Sequence, residues 1–348
     1  MITYLLILIF FVILLFPLLV RKVEHNIEIF LFAVGIVTVS LSHAFGPERL
    51  LSLSLLESAF VEPVKITLAT LVFGLAFRVL RDRIKARIVS FERSLGPRLF
   101  AFLLILALGL LSSVITAIIA ALLLCEIVTA LSLDKKYETR LVILACFSIG
   151  MGAALTPIGE PLSTIALAKL RGGALSTDFL FLMRMLGVYI LPGLLIIAAV
   201  GAFLRGTEVG SSESLTEDAE ETVTDILRRT GLVYLFVMAL VLLGTGFKPL
   251  IDSHIARMPA SLLYWVNISS AVLDNATLAA AELGPQMKVG QITGILMGII
   301  ISGGMLIPGN IPNIIAASKL RISSKAWAVF GAPFGLALMV VYFLVIYR

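Results

Sequence analysis

The sequence predicts an all-α polytopic membrane protein made of two inverted-topology repeats, each with a re-entrant helical hairpin and a broken transmembrane helix. Three observations carry that expectation. First, the 348 residues are 59% hydrophobic and only 14% charged, where soluble domains run at about 45–50% and about 25%. Second, several apolar runs reach the roughly 20 residues that cross a bilayer as a helix. Backbone in lipid must satisfy its own hydrogen bonds, so such spans are helices. Third, a pair of polar interruptions occurs twice. Ser112-Ser-Val-Ile-Thr-Ala117 matches the start of Ser270-Ala-Val-Leu-Asp-Asn-Ala-Thr277, with Thr116 falling on Asp274. Leu155-Thr-Pro-Ile-Gly-Glu-Pro161 matches Leu306-Ile-Pro-Gly-Asn-Ile-Pro312, and both run on to Lys-Leu-Arg at Lys169 and Lys319.

Taken in order, residues 1–62 hold two extra spans, about Ile2–Val20 and Ile27–Phe45, and a short amphipathic connector at Leu50–Glu62. The first repeat covers 63–205. It opens with a span at Pro63–Leu80, followed by the basic stretch Arg78–Arg98, a cytoplasmic signal. Leu99–Leu133 is free of charge until Glu126. As one helix it would be about 50 Å long, against a hydrocarbon core of about 30 Å. It therefore reads as a re-entrant hairpin with its tip at Ser112–Thr116, two ordinary spans being the alternative. Thr139–Ala168 is interrupted at Thr156–Pro161, because two prolines and a glycine cannot continue a helical ladder. Phe179–Leu204 closes the repeat.

An acidic linker, 206–230, has seven acidic residues between Gly206 and Asp225 and no basic one there. The second repeat, 231–348, has a span at Gly231–Phe247, a hairpin at Pro249–Leu283 with its tip at Ser270–Thr277, a segment Gly290–Ala317 broken at Pro308–Pro312, and a last span at Ala326–Tyr347. With the amino terminus outside, eighteen of the 27 basic residues lie inside, the sign that the positive-inside rule requires. The hairpins then open to opposite sides, the arrangement of secondary transporters with broken helices at the midplane.

Composition also excludes classes. The net charge of +5 is the Lys/Arg bias of cytoplasmic loops and implies no nucleic acid. Cys125 and Cys146 lie in apolar runs and define no disulfide framework. The three histidines lack ligand spacing, no cofactor is expected, and no Ser-His, His-Glu or paired-aspartate spacing marks an intramembrane enzyme. The first span lacks a basic leader and a cleavage site, so it reads as retained. Tyr4, Trp327, Tyr342 and Tyr347, near span ends, read as interfacial anchors.

Leu155–Pro161 and Ser270–Thr277 resemble the signature stretches of the ion transporter superfamily. The chain is most similar to NhaD-type sodium/proton antiporters, which carry Thr-Pro-Ile-Gly-Asp and Ser-x-x-x-Asp-Asn patterns. The superfamily also holds arsenite exporters and sodium-coupled dicarboxylate and citrate carriers. The resemblance covers residues 63–348, with its specific content in the residues around the four interruptions. It implies two re-entrant hairpins, two unwound helices, a homodimer, elevator-like motion and residence in a prokaryotic inner membrane. The chain departs from the pattern in being shorter, in Thr116-Ala117 where a second Asp-Asn is common, and in its last break.

A carboxylate in hydrocarbon marks function by default. Asp274 is the sodium candidate, with Ser270, Asn275 and Thr277 as oxygen donors beside it; capping the second hairpin helix is its alternative role. An acid that holds either a proton or a sodium ion is a minimal antiporter. Glu160 lies in the first break, as an ion or proton ligand or as a helix-start carboxylate. Glu126 reads as headgroup-level or salt-bridged. Thr156, Ser163, Asn310 and Asn313 either donate ligands or pair the broken backbone. Gly150, Gly152, Gly303 and Gly304 allow close helix approach. The expected function is sodium/proton antiport by alternating access. The alternative is a sodium-coupled or exchange carrier of a small anion, a dicarboxylate or oxyanion, held at half-helix amino ends by Ser112, Ser113, Asn310 and Asn313.

Overall fold

The computed structural model describes residues 2–24, 26–47, 49–131, 133–170, 175, 177–207, 223–254, 258–273, 275–284 and 287–348. Among them every regular element is helical: α1 (Ile2–Leu19), α2 (Arg21–Glu24), α3 (Ile27–Phe45), α4 (Leu53–Leu95), α5 (Pro97–Ile115), α6 (Ala117–Ala130), α7 (Lys135–Ala153), α8 (Pro161–Leu170), α9 (Phe181–Thr207), α10 (Val223–His254), α11 (Ala260–Val266), α12 (Asn275–Glu282), α13 (Val289–Gly303), α14 (Ile311–Leu320) and α15 (Ser324–Ile346). Short 3-10 turns lie at Asn267–Ala271 and Ile307–Gly309. Among the described residues five stretches are long and apolar enough to cross a membrane: Glu28–Phe45, Pro97–Ile115, Phe181–Leu204, Ile226–Leu250 and Ser324–Ile346.

Local chemistry sets several ends. The Ser52 hydroxyl accepts the Leu55 amide at 3.2 Å and starts α4. The Asp134 carboxylate accepts the amides of Lys136 and Tyr137 at 3.0 and 3.1 Å and starts α7. Gly96, at φ +77°, separates α4 from α5, a conformation open to glycine at no steric penalty. Thr116, at φ +76°, separates α5 from α6 and caps α6 through its own hydroxyl, which accepts the Ile119 amide at 3.4 Å.

Two expected boundaries are corrected. The connector at Leu50–Glu62 and the span at Pro63–Leu80 are parts of one 43-residue helix, α4, which runs on through the basic stretch. At 1.5 Å per residue it is about 65 Å long, well beyond the hydrocarbon thickness. Hydropathy finds the apolar part of a helix, whereas Arg and Lys are good helix formers and let the same helix continue into water. Similarly α10 begins at Val223, inside the expected linker, and continues through Pro249 to His254, so the first arm of the second hairpin starts only at Ala260. The linker residues 208–222 lie outside the described residues.

Packing recurs in related pairs. Helix α4 packs on α6 as α10 packs on α12; α5 on α7 as α11 on α13; and α7 on α9 as α13 on α15. Across the two halves α6 meets α14, α12 meets α8, and α7 meets α13. Helices α7 and α13 are buried nearly all round, from Leu141 to Ala153 and from Ile292 to Gly303. An apolar helix with no polar face belongs at a centre.

Helices α5 and α7 approach closely. A Cβ on Gly152 would run into the Gly109 carbonyl, and hydroxyls on both helices bond across the contact: Ser148 to the Ile105 carbonyl and Ser112 to that of Ile149, each at 2.9 Å. Substituting Gly152 by leucine should force these helices apart and lower the melting temperature in detergent by an amount corresponding to about 1–3 kcal/mol of overpacking. Gly187→Ala, inside α9 where a Cβ meets nothing, should not lower it and should raise it slightly, Ala being the better helix former by about 0.5–1 kcal/mol; differential scanning fluorimetry on both variants checks this.

Candidate functional site

A helix interrupted in an apolar interior exposes carbonyls and amides that need partners, and each break here is paired with the tip of the hairpin before it. At the first pair the Thr156 hydroxyl donates to the Ser113 carbonyl at 2.5 Å, and the Ala117 amide, first of α6, donates to the Gly159 carbonyl at 2.9 Å. At the second pair Gly303 lies against the Asn275 amide group, and Gly309 against the Ser270 carbonyl and the Cα of Ala271, too close in each case for a side chain.

The two breaks are built alike. A Cβ on Gly159 would strike the Ala153 carbonyl; one on Gly309 would approach the Gly303 carbonyl. Each is the last carbonyl of the preceding helix. Ser163 in α8 reaches back to the Ala154 carbonyl at 3.1 Å, and Asn313 in α14 reaches back with its amide NH₂ to the carbonyls of Gly303 and Leu306, both at 2.8 Å. Structurally, therefore, Glu160 corresponds to Asn310 and Ser163 to Asn313, one residue off the register that the prolines suggest. The segment returns the chain over the same number of residues, and proline position is secondary to that.

The structure gathers the sequence-predicted residues into two groups, Thr156 with Ser113 at the first pair and Ser270, Asn275 and Asn313 at the second. Asn310 caps α14, its side-chain oxygen accepting the Ile311 amide at 2.8 Å, and its amide NH₂ packs on Gly150 of α7, so the second break touches the helix that leads into the first. Ser270 donates to the Asn275 side-chain oxygen, both buried. Glu160 is buried at the start of α8. The Asn313 side-chain oxygen and the Asn275 amide nitrogen are buried without a hydrogen-bond partner among the described residues, as is the Ser269 hydroxyl. Ser112 and Ser113 are spent on helix carbonyls instead, Ser112 on Gly109 and Ile149 and Ser113 on Leu110. Asp274 and the side chain of Thr277 lie outside the described residues.

Three features were missed from sequence. Trp327 is fully buried and donates its indole N–H to the Gly304 carbonyl at 3.2 Å, and Tyr342 is buried and donates to the Tyr189 carbonyl at 2.8 Å, which corrects their reading as interfacial anchors. Tyr4 is exposed. Helix α1, set apart as an extra span, lies over the second pair: Ile13, Leu14 and Pro17 with Val272, Leu306, Ile307, Pro308 and Ser324 enclose a cavity of about 10 Å³, near the lower limit for one water. Glu282 is buried in α12 and accepts from Asn267 at 3.0 Å. A carboxylate three residues before a Pro-Gln-Met-Lys stretch reads as a loop-edge residue, so only its packing reveals it.

Glu126 of α6 forms an ion pair with Lys319 of α14, both buried, and this contact ties the first hairpin to the second broken helix. Beside it the Lys135 ammonium donates to Glu138 at 2.7 Å and to the Leu320 carbonyl at 2.9 Å, closing the carboxyl end of α14.

With every regular element helical among the described residues, five stretches of them long and apolar enough to cross a membrane, and paired polar breaks, this is an integral membrane protein. The chain belongs to the family described as "Protein of unknown function (DUF1646)", whose model matches residues 3–348. No curated protein matches it significantly.

Removing one member of the buried pair leaves an uncompensated charge, which typically destabilises by about 3–5 kcal/mol. Lys319→Met alone should therefore lower the melting temperature strongly, and Glu126→Gln/Lys319→Met together should recover most of the loss; thermal unfolding of the three purified proteins decides this.

Proposed function

We propose that this chain is a secondary active transporter working by alternating access, a sodium/proton antiporter with the features of the ion transporter superfamily and of its NhaD-type members. In this reading residues 63–348 form two inverted repeats. The related packing of α4–α9 and α10–α15, the exchange of α6–α14 and α12–α8 contacts, and the like-built breaks support it.

What carries the choice of a cation is the state of the hydrogen-bond donors. An anion held at half-helix amino ends needs free backbone N–H groups. Here four of those donors are already spent: the Ala117 amide on Gly159, the Ile119 amide on the Thr116 hydroxyl, the Ile311 amide on the Asn310 side chain and the Ser163 amide on the Glu160 carbonyl. Pro161 and Pro312 have none. Among the described residues the Asn313 side-chain oxygen remains as an unpaired acceptor, the Asn275 amide offers its oxygen at the unpaired position on a flip, and Glu160 adds a buried carboxylate at the first break. No lysine or arginine occurs in 112–117, 154–163, 267–277 or 303–313. Hard oxygen ligands without a competing cation suit a sodium ion. Asp274, next to Asn275, is the carboxylate proposed to exchange sodium for a proton; Glu160 and Asn313 line the same pair of breaks from the other elements.

Everted vesicles containing the protein should dissipate a preset pH gradient on addition of sodium or lithium, and Asp274→Asn should abolish the response. Asn313→Ala should raise the half-saturating sodium concentration about tenfold, equivalent to about 1.4 kcal/mol of binding. Sodium-dependent uptake of a labelled dicarboxylate with no movement of the pH gradient would overturn the antiport reading in favour of an anion carrier.

A further inference from the structure

The second hairpin holds a carboxyl group that the proposed cation centre does not use. Glu282 ends α12, is only 2% exposed, and has its two oxygens in different circumstances. Oε2 accepts the side-chain N–H of Asn267 at 3.0 Å. Oε1 is fully buried with no hydrogen-bond partner among the described residues. No countercharge reaches it among the described residues. Of the elements packed on α12, the turn at Asn267–Ala271 and α13 contain no charged residue. Helix α8 carries only Lys169, which is exposed. On α10, neither Arg228 nor Lys248 forms an ion pair with Glu282, and the other charged side chains of that helix lie outside the described ones.

A buried carboxylate with one bare oxygen and no cation is strongly disfavoured; such a group is stabilised by a metal, an ion pair or a proton. The first two are absent among the described residues around it. A proton on Oε1 leaves a neutral acid whose Oε2 carbonyl still accepts from Asn267. That asymmetry, one oxygen donated to and one bare, is the geometry of a carboxylic acid held in place by a fixed donor.

Asn267 connects this acid to the second break. Its amide NH₂ also donates to the Ile295 carbonyl at 3.3 Å, and its own carbonyl accepts the Ser302 hydroxyl. Ser302 is next to Gly303, whose carbonyl is held by Asn313 and against which Asn275 rests. Movement of the second tip on the second break must therefore disturb Asn267, and with it the hydrogen bond to Glu282.

We infer that Glu282 is a second proton-binding site, separate from the Asp274 centre, with Asn267 as its positioning residue. The proton adds to Oε1 when the group is enclosed and leaves to water when the hairpin shifts; no other bond forms or breaks. The coupling of this site to transport rests on the antiport reading, but the existence of the titrating acid does not.

The test is infrared difference spectroscopy on the full-length protein in lipid, across a pH titration. A carboxylic-acid C=O band should be present at low pH, decline as pH rises, disappear in Glu282→Gln and persist in Glu126→Gln. Asn267→Leu, which removes the donor but keeps the acid, should shift that band to higher frequency. A spectrum unchanged in Glu282→Gln, or a band that neither responds to pH nor shifts in Asn267→Leu, overturns the proposal. In vesicles Glu282→Gln should retain radioactive sodium exchange while sodium-driven proton movement falls about tenfold or more. If the wild-type protein moves no protons with sodium while the titrating band still depends on Glu282, the antiport reading fails and the proton site stands.

Discussion

Everything in this structure follows from one constraint, that a helix broken inside an apolar body must find partners for the backbone it uncovers. The chain meets it by pairing interruptions with one another. The tip at Thr116 feeds its first amide to the break at Gly159, and the break returns the Thr156 hydroxyl to the carbonyl of Ser113. At the second break Asn313 holds both Gly303 and Leu306. Because each interruption answers the other's unpaired groups, neither is free to move without its partner. Glycines at Gly159, Gly303 and Gly309 are the steric condition for it, since a Cβ at any of them meets backbone or an amide.

The same economy separates residues that build from residues left over. Ser112, Ser148, Ser163 and Thr156 all spend their hydroxyls on carbonyls and so belong to the scaffold. The Asn313 oxygen, the Asn275 amide, Ser269 and Glu282 Oε1 are buried and unsatisfied. Unsatisfied polar groups in an interior are expensive and few in native proteins, and these four lie around the second hairpin and its break.

Contacts between the halves are polar where they are specific. Glu126 and Lys319 tie α6 to α14, Lys135 closes α14 from α7, and Asn310 rests on Gly150. A buried ion pair contributes little net stability compared with apolar packing but penalises any arrangement that parts it. It therefore sets which register of α6 on α14 is allowed.

The amino-acid sequence by itself determined the all-helical membrane class, because apolar run length and backbone satisfaction are local quantities. It also placed the interruptions: Thr116, Pro157–Pro161 and Pro308–Pro312 announce themselves through proline, glycine and polar residues in apolar runs. Only the tertiary structure decided what those residues face. That α4 is one long helix, that Trp327 and Tyr342 are core donors rather than surface anchors, that α1 covers the second break, and that the Ser112 hydroxyl is spent while the Asn313 side-chain oxygen is not, all depend on neighbours distant in the chain. Hydropathy reports how a segment partitions from water; it carries no information on which buried atom meets which, and the role of Glu282 is set wholly by such meetings.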